Sequence, residues 1–498
     1  MLNIKMVSIR SKSIQLVRKA AAYMLLPLLA CSCQLVTGDY DDSDFGTDVS
    51  QYINITISVS ADNNPVTRGP EGGEYGDGVE RGIDPRENKV NNITLIFFKD
   101  DNGINTTSDE TEVAFVKKYD VHEVAPGELP DYHTHKTTEP YSVRSNEILY
   151  TTGDQKLSET LLEAGDIYKV LVVANADVSI SAGDKIKTVG ESIGVRDKLI
   201  GTLYNGTGLG VNATDFVMTS EGDVSVALVN PTVKKEQNKA IYYFDCIHME
   251  RLAARIDYCT KGATYDDNYK GYKYTMGSGS FLVVTKVTPF NIYNEQEYLF
   301  KRVQDAWPAT VTTYLGDETK TNYVVDPKTA DKLNNETTIS YVNPISALLS
   351  SSNSYAQVME DVHETSAITD GDGTSIIIAY PRENTLRPES SLKQYATGIA
   401  FETKYYASSL ATPVTRTYYH FLRHQGESTS GSTYQATELT ATNLENDVAT
   451  CGSLPPMNYG IVRNNIYRVD ISGFSDMGLT IKIKVKKWDL FTHAPIYM

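Results

Sequence analysis

Residues 52–60, Tyr-Ile-Asn-Ile-Thr-Ile-Ser-Val-Ser, alternate apolar and polar positions without a break. Ile53, Ile55, Ile57 and Val59 fall on one side and Asn54, Thr56, Ser58 and Ser60 on the other. A period of two predicts a strand with one buried face. The same reasoning predicts strands at 91–98, 113–118, 146–151 and 167–174, the last apolar almost throughout and therefore central in its sheet. Residues 186–200 read as the one helix of note in this half. Strands follow at 215–219, 223–229, 240–247 and 250–258, with 230–238 as a polar linker. Further strands are predicted at 280–288, 375–380, 397–406, 414–422, 464–472 and 479–488, and loops at 262–278 and 425–437. Strands every ten to twenty residues, separated by turn signals, predict an all-β chain of two antiparallel β-sandwich domains with few short helices. The break between them falls near 238.

The two ends of this pattern are unusual. The first strand runs into a Pro- and Gly-rich polar segment, 61–89, that carries Arg68, Arg81 and Arg86. Such a segment is expected to be exposed and open to proteases. At the other end Leu479, Ile481, Ile483 and Val485 alternate with Thr480, Lys482, Lys484 and Lys486. Trp488 and a partly apolar tail to Met498 follow. Chain ends are usually polar and frayed, so this tail either packs on its own domain or inserts into a neighbour. A chain that loses its first strand and accepts another molecule's tail would polymerise by β-augmentation.

The N-terminus changes the picture further. Lys5, Arg10, Lys12, Arg18 and Lys19 precede the apolar run 20–33, and no acidic residue occurs before Asp39. A basic region, a short apolar region and a small residue before a cut make a secretory signal over 1–30. Leu28-Leu29-Ala30-Cys31 fits a lipobox, in which Cys31 is acylated and becomes the new N-terminus; Cys33 is the alternative. The chain is then exported and tethered by lipid, which excludes most cytoplasmic metabolic roles.

Composition adds constraints. Net charge is −17, and removal of the leader leaves 41 basic against 63 acidic residues, near −22. Such a surface repels nucleic acid and anionic lipid, so the membrane is met only through the precursor's lipid. Cys246, Cys259 and Cys451 make no framework, although one bridge is open to them. The 33 tyrosines, with frequent Thr, Val and Ile, mark strands; a tyrosine platform for glycans is the competing reading. Motifs for phosphate, dinucleotide or serine-hydrolase chemistry are missing, and no enzyme activity and no cofactor are expected. His133 with His135, and His420 with His424, have ligand-like spacings but no third ligand, and Asp370-Gly371-Asp372-Gly373 reads as a turn rather than half a calcium loop. No metal is expected.

Several landmarks occur in a recurring order: the lipobox, strand 52–60 before Arg68, YKVLVVANAD (168–177), FVMTSEGDVSVAL (216–228), ERLAARIDY (250–258), IAYPRENT (378–385), YGIVRNNIYRVDISG (459–473) and IKVKKWDLF (483–491). In this the chain resembles the fimbrillins, or type V pilins, of the Bacteroidetes, and within them the short-fimbrium shaft subunits. The resemblance implies transthyretin-like sandwiches over 69–238 and 239–498, and a lipidated propeptide with the first strand over 31–68. It implies a precursor on the outer membrane, cut by an arginine-specific, trypsin-like protease. Arg68 fits best, with Gly69 as the new N-terminus, because it lies nearest the strand. The groove lined by Ile53, Ile55, Ile57 and Val59 would then accept another subunit's C-terminal strand, anchored by Leu490, Ile496 and Met498. The implied partners are other fimbrial subunits, the protease and a host or bacterial surface ligand, at a cell-surface fimbrium. A tip or anchor role, or a monomeric glycan-binding lipoprotein, is the alternative.

Overall fold

A computed structural model describes residues 49–489 apart from 59–78, 82–84, 100–110, 124–148, 187–193, 201–214, 305–311, 315–322, 333–338, 350–355, 387–392, 424–431, 449–458 and a few shorter gaps. The chain is all-β. Two large sheets, of eleven and thirteen strands among the described residues, are accompanied by three small ones. The described α-helices are Met359–Val362 and Ala441–Val448.

In the first sheet, strand Ile167–Ala174 lies between Asn92–Lys99 on one side and Met218–Ser220 with Val224–Ala227 on the other. Its apolar run is therefore central, as its composition predicts. Strand Lys239–Arg251 pairs through its last residues with Met218–Ser220 and through its first with Ser50–Ser58. One long strand so serves two runs of the sheet. The enclosed core contains Ile53, Ile55, Ile57, Leu95, Phe97, Val170, Val172, Phe244 and Ile247.

The second sheet runs from the hairpin Ala263–Asp266/Gly271–Thr275 through Phe281–Phe290, Gly398–Tyr406 and Val414–Phe421. It continues through Ser432–Glu438, Leu479–Asp489, Asn465–Phe474, Arg255–Cys259 and Gly373–Ala379. Most pairings are antiparallel, but three are parallel: Ser50–Ser58 with Lys239–Arg251, Arg255–Cys259 with Asn465–Phe474, and Val79–Arg81 with Leu479–Asp489. The sheets are thus mixed rather than purely antiparallel.

Other expectations are corrected. The polar stretch 230–238 is no linker. Thr232–Lys234 forms a hairpin with the start of Lys239–Arg251, and Asn238 at φ 52° makes the turn, a conformation Asn tolerates. Apart from Val79–Arg81, which pairs with the second sheet, the chain leaves the first large sheet for the second at Leu252–Ala254, all buried, rather than near 238. The region 262–278 is a hairpin, because Tyr272 and Tyr274 reach the core while Asp266 to Lys270 make the turn. Gly271 is required there: a Cβ would press on the Val284 carbonyl and lie 2.8 Å from Val283 Cγ1. Ser432–Glu438, overlapping the segment 425–437 read as a loop, is a strand between Val414–Phe421 and Leu479–Asp489. Within 186–200, Leu199–Ile200 is a strand paired with Glu297–Tyr298.

Candidate functional site

The first strand occupies a slot between neighbours remote in sequence. On one edge it runs parallel to Lys239–Arg251, from Ser50↔Lys239 to Ser58↔His248, with a bulge between Ile55 and Ile57. On the other edge it is antiparallel to Leu149–Thr151 and Gln155–Lys156. Ile53, Ile55 and Ile57 are at most 1% exposed. Their removal from water is worth about 5–9 kcal/mol at ~1.5–3 kcal/mol each, an upper estimate.

The polar face is also covered, contrary to the one-face expectation. Asn54 donates from Nδ2 to Asp154 Oδ1 (3.0 Å) and accepts from Thr151 Oγ1 (2.8 Å). Lys239 Nζ donates to Asp154 (2.9 Å) and lies 4.6 Å from the Tyr52 ring centroid. The Ile55 N–H donates to Thr152 Oγ1 (3.2 Å), and its carbonyl accepts from the Thr152 N–H (3.1 Å). Asn54 is buried with both of its partners, Asp154 and Thr151, in place, and Thr56 is buried beside it.

A second constellation holds the passage between the sheets. Arg251 and Arg255 bracket Leu252–Ala254. Arg251 Nε donates to the Glu87 carbonyl (2.9 Å), Nη1 to Asn464 Oδ1 (3.2 Å) and Nη2 to Asn88 Oδ1. Arg255 donates to Asp257 (2.7 Å at the shortest) and to both oxygens of the Glu87 carboxylate (3.1 and 3.2 Å), which also accepts from Tyr380 Oη (2.6 Å). Burial works against the Arg255 charge, but Asp257 and Glu87 raise its pKa. Burial, with the Glu87 charge, drives the Tyr380 hydroxyl well above its usual range, so it remains a donor.

Beside it, Arg463 pairs with Glu383 (2.7 Å) and Glu297 (3.7 Å) and donates to the carbonyls of Leu299 (2.9 Å) and Tyr298 (2.6 Å). Lys301 pairs with Glu250 (2.8 Å). Burial, reinforced by Glu383 and opposed by Arg463, pushes the Glu297 carboxyl up to about 8. Lys332 donates to Asp326 (2.5 Å) and to Asn384 Oδ1 (2.7 Å). The sequence elements ERLAARIDY and IAYPRENT thus meet here with Glu87, across separations such as that from Arg255 to Glu87. Their charges inside apolar runs were the only sequence signal, and Glu87 and Asn88 gave none.

Of the sequence-predicted residues, Ile53, Ile55 and Ile57 come together in the slot. Cys31, Val59, Arg68, Gly69, Leu490, Ile496 and Met498 lie outside the described residues, as do His133, His135, His424 and Cys451. Arg81 and Arg86 do not lie in a featureless segment. Arg81 ends the strand Val79–Arg81, and Arg86 lies in the 3-10 turn Pro85–Asn88. His420 is half-buried, its Nε2 is enclosed with no hydrogen-bond partner, and desolvation lowers its pKa to about 4. Asp370 pairs with Gly373 across a tight hairpin. Cys259 is a buried thiol whose pKa burial raises. Among the described residues no three His, Cys, Asp or Glu could hold a metal. Many tyrosines pack in the cores, Tyr258 and Tyr274 through a 2.8 Å hydroxyl contact.

No family model and no curated protein matches the chain. Its structural neighbours are fimbrial and adhesion proteins. A fimbrilin from Porphyromonas gingivalis is 11% identical, with TM-score 0.35, over 90% of this chain and 99% of that one. The tip fimbrial protein Mfa3 from Porphyromonas gingivalis, with C-terminal truncation, is 8% identical, with TM-score 0.34, over 88% and 100%. A fimbrial assembly protein from Parabacteroides distasonis is 10% identical, with TM-score 0.34, over 88% and 96%. These are proteins to which the chain is similar over most of its length.

Proposed function

We propose that this chain is a structural subunit of a surface fimbrium that supports adhesion. It is exported as a lipoprotein precursor acylated at Cys31 and held at the outer membrane. An arginine-specific protease cuts after Arg68, and subunits polymerise by strand exchange, with the tail anchored by Leu490, Ile496 and Met498 entering the vacated slot of a neighbour. Its partners are other subunits and the protease, and adhesion is to a host or bacterial surface. The observation that carries this reading is the position of Ser50–Ser58. The first strand of the described chain fills an interior slot, paired on both edges. Its covalent connection to the later strands of that sheet runs through a segment that contains Arg68. Removing it would expose two strand edges and an apolar floor, which demand a replacement strand.

The test is deletion of residues 489–498. A folded, exported, cleaved subunit that no longer forms ladders on a gel is expected. Fibres from the truncated chain would place the donor elsewhere, and failure to fold would assign the tail to its own core. N-terminal sequencing of surface-extracted protein should begin at Gly69. An intact, lipidated N-terminus would indicate an anchor instead. Cys31→Ala should abolish lipid labelling of the precursor, and survival of the label with loss only in Cys33→Ala would move the site.

A further inference from the structure

Three arginines follow the first strand, yet only a cut that frees the strand and leaves the rest of the subunit intact is useful. We infer that the strand Val79–Arg81 and the turn Pro85–Asn88 are two retained anchors that withhold Arg81 and Arg86 from an arginine-specific protease, so that the folded chain is cut N-terminal to Val79. This rests on the proposed processing and adds what selects the bond.

The two anchors hold by different means. Val79–Arg81 pairs in parallel with the end of the last long strand, Val79↔Lys487, Glu80↔Trp488 and Arg81↔Asp489. Strand Ser432–Glu438 covers the same strand only as far as Ile483, and Asn465–Phe474 begins opposite Lys487. A protease takes its substrate as an extended segment whose backbone hydrogen bonds are available to the enzyme, as in strand addition. The backbone at Arg81 is already committed to a ladder.

The bond after Arg86 is held through the residues beyond it. Glu87 is fully buried, its carboxylate bound by Arg255 and Tyr380 and its carbonyl by Arg251. Asn88 accepts at Oδ1 from Arg251 and at its carbonyl from Tyr150 Oη (3.0 Å). Val90, 3% exposed, and strand Asn92–Lys99 follow at once. Extending this turn into a protease cleft would pull Glu87 from its partners and take one of two carboxylates from the Arg255 guanidinium. A new ammonium terminus at Glu87 would sit among buried groups. Both bonds therefore become cleavable only through local opening, and the rate is reduced by the population of the open form.

The experiment is a time course of the full-length folded precursor with an arginine-specific endoprotease, read by N-terminal sequencing. Fragments beginning at Gly82 or Glu87 should form at least about tenfold more slowly than those cut upstream of Val79. Glu87→Gln should raise the rate at Arg86 at least about tenfold. Should that variant not fold, wild-type protein heated through its unfolding transition serves instead: the two fragments should appear only above it. Fragments beginning at Gly82 or Glu87 that form in the folded wild type as fast as the upstream ones would overturn the inference. A folded chain cut at no arginine at all, with both bonds opening on heating, would support the anchors and sink the processing reading. Polymerisation is not read in this assay, so the two failures are distinct.

Discussion

The Glu87 carboxylate receives two hydrogen bonds from Arg255 Nη1, at 3.1 and 3.2 Å, with both side chains fully buried. Arg255 begins the second-sheet strand Arg255–Cys259, and Glu87 precedes the first sheet's strand Asn92–Lys99. One ion pair therefore ties the approach to a first-sheet strand to the start of a second-sheet strand. Removing one member of a buried pair leaves the other uncompensated. Glu87→Ala should cost about 3–5 kcal/mol, toward the low end because Asp257 remains on Arg255. Urea denaturation of the full chain measures it. A cycle with Tyr380→Phe should show coupling of about 1 kcal/mol or more; strict additivity would mean that Tyr380 does not act through Glu87.

Ile55→Ala in the uncleaved precursor should destabilise by about 2–5 kcal/mol, the usual cost of emptying a packed site. Leu410, 97% exposed, is the matched control, and its alanine variant should stay within about 0.5 kcal/mol. Equal shifts in melting temperature for the two variants would show that the slot is not packed around the first strand.

Glu297 gives the stability a pH dependence of known sign. Its folded pKa, about 8, lies above the ordinary 4.5, so the folded chain holds a proton that the unfolded chain has released. The contribution is complete below 4.5 and is lost as pH rises to about 8. Facing groups are Arg463, Arg382 and Glu383, with Lys301 and Glu250 beyond. Glu297→Gln should flatten this limb in denaturation series run across that interval; an unchanged slope would assign it to other groups.

His420 acts in the opposite direction. Its folded pKa of about 4 lies below the ordinary 6.5, so its contribution is present above 6.5 and is lost as pH falls to about 4. Asp447 opposes this shift, and Arg423 and Lys393 reinforce it. His420→Phe removes a buried nitrogen that has no partner and keeps a ring against Tyr434, whose centroid lies at 4.9 Å. The variant should be as stable as wild type or more so at neutral pH, and should lose the acid limb that wild type shows.

Gly398→Ala tests packing in the second sheet. A Cβ there would collide with the Phe290 ring and lie 2.6 Å from the His420 carbonyl oxygen. Overpacking of this kind costs about 1–3 kcal/mol. A variant with an unchanged denaturation midpoint would mean that Phe290 moves aside freely.

Sequence alone determined the elements whose own period carries the signal. The alternation Ile53-Asn54-Ile55-Thr56-Ile57 named a strand and its apolar face, and the run at 167–174 named a central strand, because side-chain direction along a strand is local. Tertiary structure alone decided which strands meet. Asn54 is buried because Asp154 and Thr151 arrive from elsewhere in the chain, with Lys239 held on Asp154. Ser432–Glu438 is a strand because two long partners flank it, although the Ser/Thr/Gly-rich segment 425–437 that overlaps it signals a loop. Lys239–Arg251 belongs to the first sheet because its edge pairs with Ser50–Ser58. Glu87 sits in a stretch with no apolar period, and its burial follows from Arg255, Arg251 and Tyr380 converging on it from remote positions. A period records only the neighbours a residue has along its own backbone, whereas the energy of a buried polar group depends on partners that the fold alone brings within hydrogen-bond distance.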